Sequence, residues 1–380
     1  MNKIIYFSRL LPVQNKGGGC RRLLQIHDFL KKIDPQVELV HPWRSDLILP
    51  EKMKKVNTKN QGKFFQSFPF PGIFINNINK WSNNHQGMIY RLRKASKILL
   101  HTVSDLEKFD LAVMDDPIYF MPLFKKLIQC RIPVIAICHN IESLVPGQVK
   151  KDYSNDLFRK ELELLSQCRL VITISREEDV ILRNFGITSW FVPYYPVEPI
   201  RKRLLAIRDN RKNNPKNDIL MIGTSKNSPT REGMKSAARY WMQHHLEQIA
   251  GKLIIGGFQA ETFLDCESVP GVMEFRGTLS NDDLDQLMEK VNACLCYQEK
   301  GAGALTRICE TLIAGVPVLA NTHAARSYYN MKGVYEFRVL GELAEALKQI
   351  DEIDASDGDI PLPPAPDFSS LEVEVKKIMK

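Results

Sequence analysis

The sequence predicts an α/β protein that consists of two doubly wound, parallel-sheet domains. Three observations predict this fold class. The chain has 380 residues, which is too long for one ordinary hydrophobic core and suits two. Short apolar, β-branched runs alternate with longer amphipathic runs, as in parallel sheets that are covered by helices. A polar, basic stretch near the middle interrupts this alternation, which then starts again.

The first half of the sequence accounts for one domain, predicted to comprise 1–198. Its strands are expected at 3–11, 111–116, 133–140, 170–175 and 189–195. Its helices are expected at 20–33, 119–130, 155–168 and 176–186. Because strands and helices alternate, the sheet is expected to be parallel with helices on its faces.

The second half repeats this organisation after an interdomain linker at 199–216. The C-terminal domain is predicted to comprise 217–355. Its strands are expected at 218–225, 252–258, 271–277, 293–298 and 317–321. Its helices are expected at about 231–249, 280–291, 304–314 and 340–353. The tail, 356–380, begins with a Pro-rich turn and closes with an expected helix, and packing of this tail against the N-terminal domain is left open. Two such domains place a ligand cleft where the carboxyl ends of both sheets face each other.

The composition is typical of a soluble globular protein, with 44% hydrophobic and 25% charged residues. No stretch approaches the roughly 20 apolar residues of a membrane span, and the first residues lack the apolar run of a signal peptide. We therefore expect a cytoplasmic protein. The eight cysteines include no CxxC pair, which favours buried, reduced thiols over disulfides or a zinc site.

The formal net charge of +8 leaves three kinds of partner open: nucleic acid, an anionic membrane surface or an anionic small substrate. Basic residues cluster at 51–63, 91–97 and 201–216, and the first two clusters flank the aromatic segment 64–74. No nucleic-acid reader motif is visible, so nucleic acid is not expected. Peripheral contact with an anionic bilayer, at the inner face of the plasma membrane, fits these clusters better.

Two glycine-rich segments each precede a helix and suggest anion-binding loops. One is "GAGALTRICE", in which Gly301 and Gly303 come before a helix that carries Glu310. The other is "NKGGGCRR", which places Gly18 and Gly19 after a strand and before a helix. Glycines let the backbone approach a phosphate closely, and the amide groups at a helix start favour anions. Either segment alone is also compatible with an ordinary tight turn.

Polar side chains at the ends of expected N-terminal strands are the next candidates. His139 ends one strand and Asp115 and Asp116 end another, so they lie at the carboxyl edge of the sheet. A single His is as often structural as functional at such a place, and the two Asp residues are candidates for acceptor contacts only. His41 and Arg44 stand where an NAD site would need an acid, which argues against NAD.

Five motifs follow one another along the chain. The first half contains "NKGGGCRRLLQIHDFLKK", "CHNIES" and "CRLVITISREEDVILRNFG". The second half contains "GVMEFRGTLSNDDLDQLMEKVNACLCYQ", followed by "GAGALTRICETLIAGVPVLAN". This ordered set covers nearly the whole chain and resembles the GT-B glycosyltransferases, particularly the retaining family 4 type (glycosyltransferase group 1). The order of the motifs is much more specific than any one of them.

The resemblance implies a nucleotide-sugar donor in the C-terminal domain and an acceptor on the N-terminal side. It assigns both ribose hydroxyls of the donor to Glu310. It also places Gly223, Gly303, Leu305 and Thr306 beside the donor, whose diphosphate gains charge as the sugar leaves and requires fixed hydrogen-bond donors.

Cations near the diphosphate are a further implication of the resemblance. Arg231 best matches the family's Lys before Gly, and Lys226 is a compensating candidate; either is also compatible with an ordinary loop charge. Arg307, at the helix start, is a third cation within reach. With His139 as a contact to the sugar or the acceptor, these side chains complete the candidate site.

Two departures from the family pattern concern the donor. The family has two glutamates separated by seven residues, but Ala302 stands at the first of these positions, and Glu299 is three residues too early to replace it. Thr224 stands where the family usually has Arg. These departures leave the identity of the sugar open.

The implied activity is that of a glycosyltransferase of class EC 2.4 that uses a UDP- or GDP-linked sugar and no metal or other cofactor. Its acceptor would be a glycan, a lipid-linked molecule or a small hydroxyl compound, as in surface polysaccharide synthesis. Three alternatives stay open: a GT-B nucleotide-sugar epimerase, an inverting transferase, and a catalytically weak homologue that binds nucleotide or glycan as a scaffold.

Overall fold

Six strands of the first half form one parallel sheet. The computed structural model describes residues 3–10, 17–41, 105–145, 154–214, 216–225, 227–260, 268–354 and 360–380. The strands are β1 (Ile4–Phe7), β2 (Glu38–Val40), β3 (Leu111–Asp115), β4 (Val134–Cys138), β5 (Leu170–Thr173) and β6 (Ser189–Phe191). They lie in the order β2-β1-β3-β4-β5-β6, and all neighbours are parallel. The strand order reverses beside β1, so a crevice lies at the carboxyl ends of β1 and β3.

Within the described residues, four α-helices accompany the sheet of this N-terminal domain. They are α1 (Gly18–Ile33), α2 (Met121–Gln129), α3 (Ser154–Leu165) and α4 (Arg176–Asn184). The residues of β1, β3, β4 and β5 are buried on both faces, which explains their continuous apolar sequences. Ser175 caps α4 by accepting a hydrogen bond from the amide of Glu178.

The segment expected to be an interdomain linker contains a helix, α5 (Glu198–Arg211). Its basic residues are not all solvated. Arg208 donates to the carbonyl oxygen of Ile313 (2.8 Å), and Arg211, which is 3% exposed, donates to carbonyl oxygens at the ends of two neighbouring elements. These two guanidinium groups therefore bind main-chain carbonyl groups of the C-terminal domain.

The second half forms another six-stranded parallel sheet. Its strands are β7 (Asn217–Ile222), β8 (Leu253–Gly256), β9 (Met273–Gly277), β10 (Val291–Cys296), β11 (Val318–Asn321) and β12 (Val334–Phe337). Its helices are α6 (Ser228–Gln243), α7 (Glu247–Ala250), α8 (Asn281–Lys290), α9 (Thr306–Ile313), α10 (Thr322–Ala325) and α11 (Leu343–Asp354). The strand order is β12-β11-β10-β7-β8-β9. Its reversal point therefore lies between β7 and β10, and the loops that follow these two strands border the crevice.

The last helix of the chain, α12 (Ser369–Ile378), packs into the core of the N-terminal domain. Leu371 and Val375 are fully buried there. Phe368 stacks on Phe29 of α1 with ring centroids 4.7 Å apart. The chain thus passes between the domains twice.

The cysteines and the helices bear on the expected redox state and on membrane insertion. None of the seven cysteines in the described ranges forms a disulfide, and six of them are buried. None of the helices within the described ranges combines the length and the apolar character needed to span a membrane.

Candidate functional site

A glycine loop follows β10 and leads into α9. Gly301 and Gly303 have positive φ values of 119° and 72°, which only glycine adopts readily. The helix begins at Thr306 with Leu305 as its N-cap residue. The first amide groups of an α-helix have no partner one turn back in the helix and lie at the positive end of its dipole, although the Ile308 amide here donates to the carbonyl oxygen of Leu305. This segment can therefore present several hydrogen-bond donors to an anion.

The glycines of the N-terminal domain lie directly opposite this helix start. A Cβ atom on Gly18 would stand 2.3 Å from the hydroxyl oxygen of Thr306, and one on Gly19 would stand 2.9 Å from Leu10. A side chain at Gly18 or Gly19 would therefore force Thr306 or Leu10 to shift. Since α1 begins at Gly18, the N-terminal ends of α1 and α9 converge on one point of the cleft.

Glu310 lies one turn into α9 and is 6% exposed. The hydroxyl of Tyr194 donates to Glu310 Oε1 over 2.5 Å, and Arg21 of α1 forms an ion pair with Oε2. Burial lowers the pKa of Arg21. Glu310 therefore already binds two donors, one of which belongs to the opposite domain, and ribose hydroxyls would have to share or replace them.

Both main-chain polar groups of Gly303 are held by side chains. Its N–H donates to Oε1 of Glu178 over 3.1 Å, and its carbonyl oxygen accepts from Arg326 over 2.6 Å. Arg326 also donates to the carbonyl oxygen of Ala302 over 2.9 Å. A Cβ atom on Gly303 would stand 2.4 Å from the side-chain oxygen of Asn140. In this arrangement the Gly303 amide therefore binds a carboxylate of the protein rather than facing an open cradle.

His139 follows β4 at the edge of the cleft and is 9% exposed. Its Nε2 atom is 3.6 Å from Asp115 Oδ1, and its backbone N–H donates to Asp116. Burial lowers the pKa of His139, but the carboxylates of Asp116 and Asp115 outweigh it and the net shift is upward. Asp115 also accepts from the Tyr6 hydroxyl (2.6 Å), and Asp116 pairs with Arg9 (3.2 Å). Asp116 thus fixes the main chain at His139, and both carboxylates lie close to its ring.

Arg231, one of the predicted cations, makes its contacts within the C-terminal domain. Arg231, one turn into α6, donates to the carbonyl oxygen of Ser225 over 2.9 Å and pairs with Glu232. It therefore braces the loop that follows β7. Lys226, the second candidate in this loop, lies outside the described residues.

Arg307 and Gly223, which were also predicted for the donor site, contact other elements of the C-terminal domain. The hydrogen bond from Cys294 lowers the pKa of Cys296 to about 6, and the Arg307 guanidinium beside it contributes in the same direction. Arg307 is thus placed against β10. A Cβ atom on Gly223 would stand 2.2 Å from the sulfur of Met234, so this glycine allows close packing of β7 on α6.

Glu299, the acid nearest to the missing family position, is exposed. It accepts a hydrogen bond from the Tyr297 hydroxyl over 3.2 Å. The acid that the family pattern places at position 302 is therefore not supplied by a shift of Glu299 onto the glycine loop in this structure.

Comparison with known proteins decides the fold. The sequence matches no protein-family model and no curated protein. Sucrose-phosphate synthase from Thermosynechococcus elongatus superposes with a TM-score of 0.58 at 13% identity, over 100% of this chain and 95% of that one. Anabaena HepE in complex with UDP and glucose gives a TM-score of 0.58 at 15% identity, over 100% and 97%. The catalytic domain of starch synthase IV from Arabidopsis thaliana, bound to ADP and acarbose, gives 0.58 at 9% identity, over 100% and 98%.

The chain has the GT-B fold. Its two parallel sheets, each with a strand-order reversal, are the two Rossmann-like domains of that architecture. The predicted fold class is confirmed. The GT-B cleft lies between the carboxyl ends of the two sheets and contains Gly18, Thr306, Glu310 and His139.

Sequence reasoning missed four residues of the GT-B cleft: Arg21, Tyr194, Glu178 and Arg326. Arg21 had a usable signal, because it lies in the first turn of the helix that follows the N-terminal glycines. The sequence signal for Glu178 was weaker: it lies in the first turn of α4, the helix that follows β5. Tyr194 and Arg326 had none, because nothing in their local sequence distinguishes them from ordinary loop residues.

A cavity of about 630 Å³ opens beside the glycine loop of the GT-B cleft. It is lined by Glu177, Thr322, His323, Arg326, Tyr329, Asn330 and Glu336. His323 Nε2 lies 3.2 Å from the carbonyl oxygen of Gly301. Burial, followed by the charge of Arg326, lowers the pKa of His323. The ring is thus a neutral donor to the glycine loop at neutral pH.

Proposed function

We propose that this chain is a glycosyltransferase that moves a sugar from a UDP- or GDP-linked donor to a hydroxyl group of a glycan, a lipid-linked molecule or a small acceptor. The observation that carries this proposal is the convergence of two helix starts, at Gly18 and Thr306, above the buried carboxylate of Glu310. The structural neighbours support a nucleoside diphosphate ligand, since HepE is bound to UDP or UDP-glucose and starch synthase IV is bound to ADP.

The chemistry of the donor fits these residues. The leaving diphosphate gains negative charge, and the first-turn amides of α1 and α9 offer donors that are already fixed in place. Glu310 would accept hydrogen bonds from the ribose hydroxyls, and Arg21 would move away or share the Glu310 carboxylate with the ribose. Arg231 and Lys226 are proposed to offset the phosphate charge, as Arg307 would from the helix start.

The proposed reaction retains the anomeric configuration and uses no metal or cofactor. The departing phosphate itself would receive the acceptor proton, so no side-chain base or nucleophile is required. His139 would contact the sugar or the acceptor hydroxyl, and Asp115 would hold its ring in orientation. Its raised pKa favours the protonated, donating ring.

A binding scaffold without turnover is the second candidate, and Ala302 favours it. The family's sugar-facing acid is missing there, and Glu299 does not take its place. Nucleotide binding without transfer to any acceptor, and without donor hydrolysis, would support the scaffold. Slow hydrolysis of a sugar nucleotide would exclude it, and interconversion of donor epimers would instead identify an epimerase.

The first experiment is a thermal-shift panel without added metal. It contains UDP, GDP, ADP, CMP, their common sugar conjugates and NAD. A ligand that binds only the native state raises the melting temperature by mass action. A clear shift with one nucleoside diphosphate supports the transferase and identifies the donor class. No shift with any of them, in folded protein, contradicts a nucleotide-sugar transferase.

Peripheral contact with the inner face of an anionic plasma membrane is part of the proposal. It rests on the basic clusters at 51–63 and 91–97 and the aromatic segment 64–74, all outside the described residues. Co-sedimentation with vesicles should require anionic lipid and fall with salt. Binding to neutral vesicles at high salt would contradict an electrostatic contact.

A further inference from the structure

We propose that Glu178 is a positioning residue that fixes the glycine loop of the C-terminal domain from the N-terminal domain. It lies in the first turn of α4, and its side chain reaches across the cleft to the amide of Gly303. The proposal goes beyond donor binding by Glu310, and its kinetic part rests on the proposed transferase function. Its structural part can be tested without any activity.

The contacts of Glu178 join one residue from each domain. Its Oε1 atom accepts from the amide of Ile141, in the loop after β4, over 2.8 Å. The same oxygen accepts from Gly303 over 3.1 Å. Glu178 is 3% exposed, so neither amide can readily exchange this carboxylate for water. Removal of the carboxyl group would leave two buried N–H donors without an acceptor, which destabilises a protein more than the loss of an exposed hydrogen bond.

The glycine loop needs such an external constraint. Gly303 has a φ of 72°, and glycine loses more conformational freedom than any other residue when it is fixed. Arg326 fixes the carbonyl side of Gly303 from within the C-terminal domain, and Glu178 fixes the amide side from the other domain. The loop therefore acquires its full set of contacts only when the two domains are together.

Two nearby carboxylates provide matched controls. Glu161 is also buried and holds the same N-terminal loop, through the amides of Glu142 (3.0 Å) and Ser143 (2.9 Å). Its hydrogen bonds among the described residues stay within the N-terminal domain. Glu177 does cross the cleft, but to the amide of Ser327 (2.9 Å). Glu161 thus controls for loss of N-terminal structure, and Glu177 controls for general loosening of the two domains.

Hydrogen–deuterium exchange of the full chain tests the positioning role directly. Glu178→Ala should raise the exchange rate of peptides covering 299–305 by about tenfold or more, the change expected when a buried amide is left without its hydrogen-bond acceptor. Glu178→Gln keeps an oxygen that can accept both amides and should restore slow exchange. Glu161→Ala and Glu177→Ala should leave these peptides within about twofold of the wild type.

A kinetic readout separates positioning from donor binding. With the nucleotide identified by the thermal-shift panel, Glu178→Ala should lower kcat for transfer by about 10- to 100-fold. Its affinity for the nucleoside diphosphate alone should change by less than about threefold, because Glu310 and the helix starts remain. Glu178→Gln should recover most of kcat.

Each result has a definite meaning. Unchanged exchange at 299–305 in folded Glu178→Ala overturns the proposal, and so does equal acceleration by Glu177→Ala or Glu161→Ala. If Glu178→Ala does not fold, Glu178→Asp replaces it, because its carboxylate is withdrawn by about 1.5 Å and should also speed exchange. If the wild type neither binds nor transfers a nucleotide sugar, the proposed function fails, while the exchange data still decide the role of Glu178.

Discussion

Glu310→Ala is expected to lower both the stability of the protein and its affinity for a nucleotide. The carboxylate is 6% exposed and accepts hydrogen bonds from Tyr194 and Arg21. In this variant the Tyr194 hydroxyl loses its charged acceptor, which costs about 1.5 to 3 kcal/mol of stability. The side chain of Arg21 is 15% exposed, so water restores part of its loss. The free energy of unfolding should therefore fall by about 2 to 4 kcal/mol.

The affinity effect follows from the proposed contact with the ribose. Loss of this acceptor should weaken nucleotide binding by about 1 to 3 kcal/mol, or roughly 5- to 150-fold in Kd. Isothermal titration with the nucleotide selected by the thermal-shift panel measures the affinity, and urea unfolding measures the stability. Glu310→Gln keeps one oxygen for Tyr194 and should lose less stability than Glu310→Ala.

Glu345→Ala is the matched control for this prediction. Its side chain is 71% exposed on α11, so the free energy of unfolding should change by no more than about 0.5 kcal/mol and the nucleotide affinity should not change. Unchanged affinity in folded Glu310→Ala would remove Glu310 from the donor site. Unchanged stability would refute the two buried hydrogen bonds.

Three further predictions concern other parts of the cleft. If Arg231 and Lys226 face the diphosphate, their double Ala variant should lose far more affinity for UDP or GDP than for the nucleoside in titrations; equal losses would indicate misfolding. Gly303→Ala should lower the melting temperature and the nucleotide affinity, because its Cβ would stand 2.4 Å from atoms of the N-terminal domain. Gly271→Ala is the control, since Gly271 has a φ of 78° and a Cβ there would meet nothing within 4 Å. Similar losses in both variants would contradict a steric cause. Burial raises the pKa of Glu161 from 4.5 to about 7, so its stabilising contribution is present below pH 4.5 and lost as the pH rises to about 7. Between pH 5 and 8, the free energy of unfolding measured in urea should fall by about 1 to 3 kcal/mol less in Glu161→Gln than in the wild type. An equal fall in both proteins would contradict a buried, protonated Glu161.

The central elements of the fold were predictable because they carry local patterns. Buried strands such as β4 are apolar throughout, and covering helices have one apolar face. The edge strand β12 (Val334–Phe337) was missed, because only one of its four residues is buried. Helix α5 lies within the segment that was predicted only as an interdomain linker, since the sequence does not show that Arg208 and Arg211 bind main-chain carbonyl groups.

The candidate site was predictable only where its parts are consecutive. The glycine loop, the start of α9 and Glu310 lie within one short stretch, and their order alone suggested a shared site. The partners of these residues come from far away: Arg21 is 289 positions from Glu310, and Glu178 is 125 positions from Gly303. Their selection depends on how two domains dock, which no periodicity in the chain records.

The double passage of the chain between the domains has a mechanical consequence. The first passage is α5, and Arg208 within it donates to the carbonyl oxygen of Ile360 (2.6 Å), on the way back to α12. One connection alone would let the domains swivel about any axis, whereas two connections that are fastened side by side resist twisting and still bend. The domains should thus open by hinge bending about a single axis near Arg208. On closure, Gly18 should return to the same position beside Thr306.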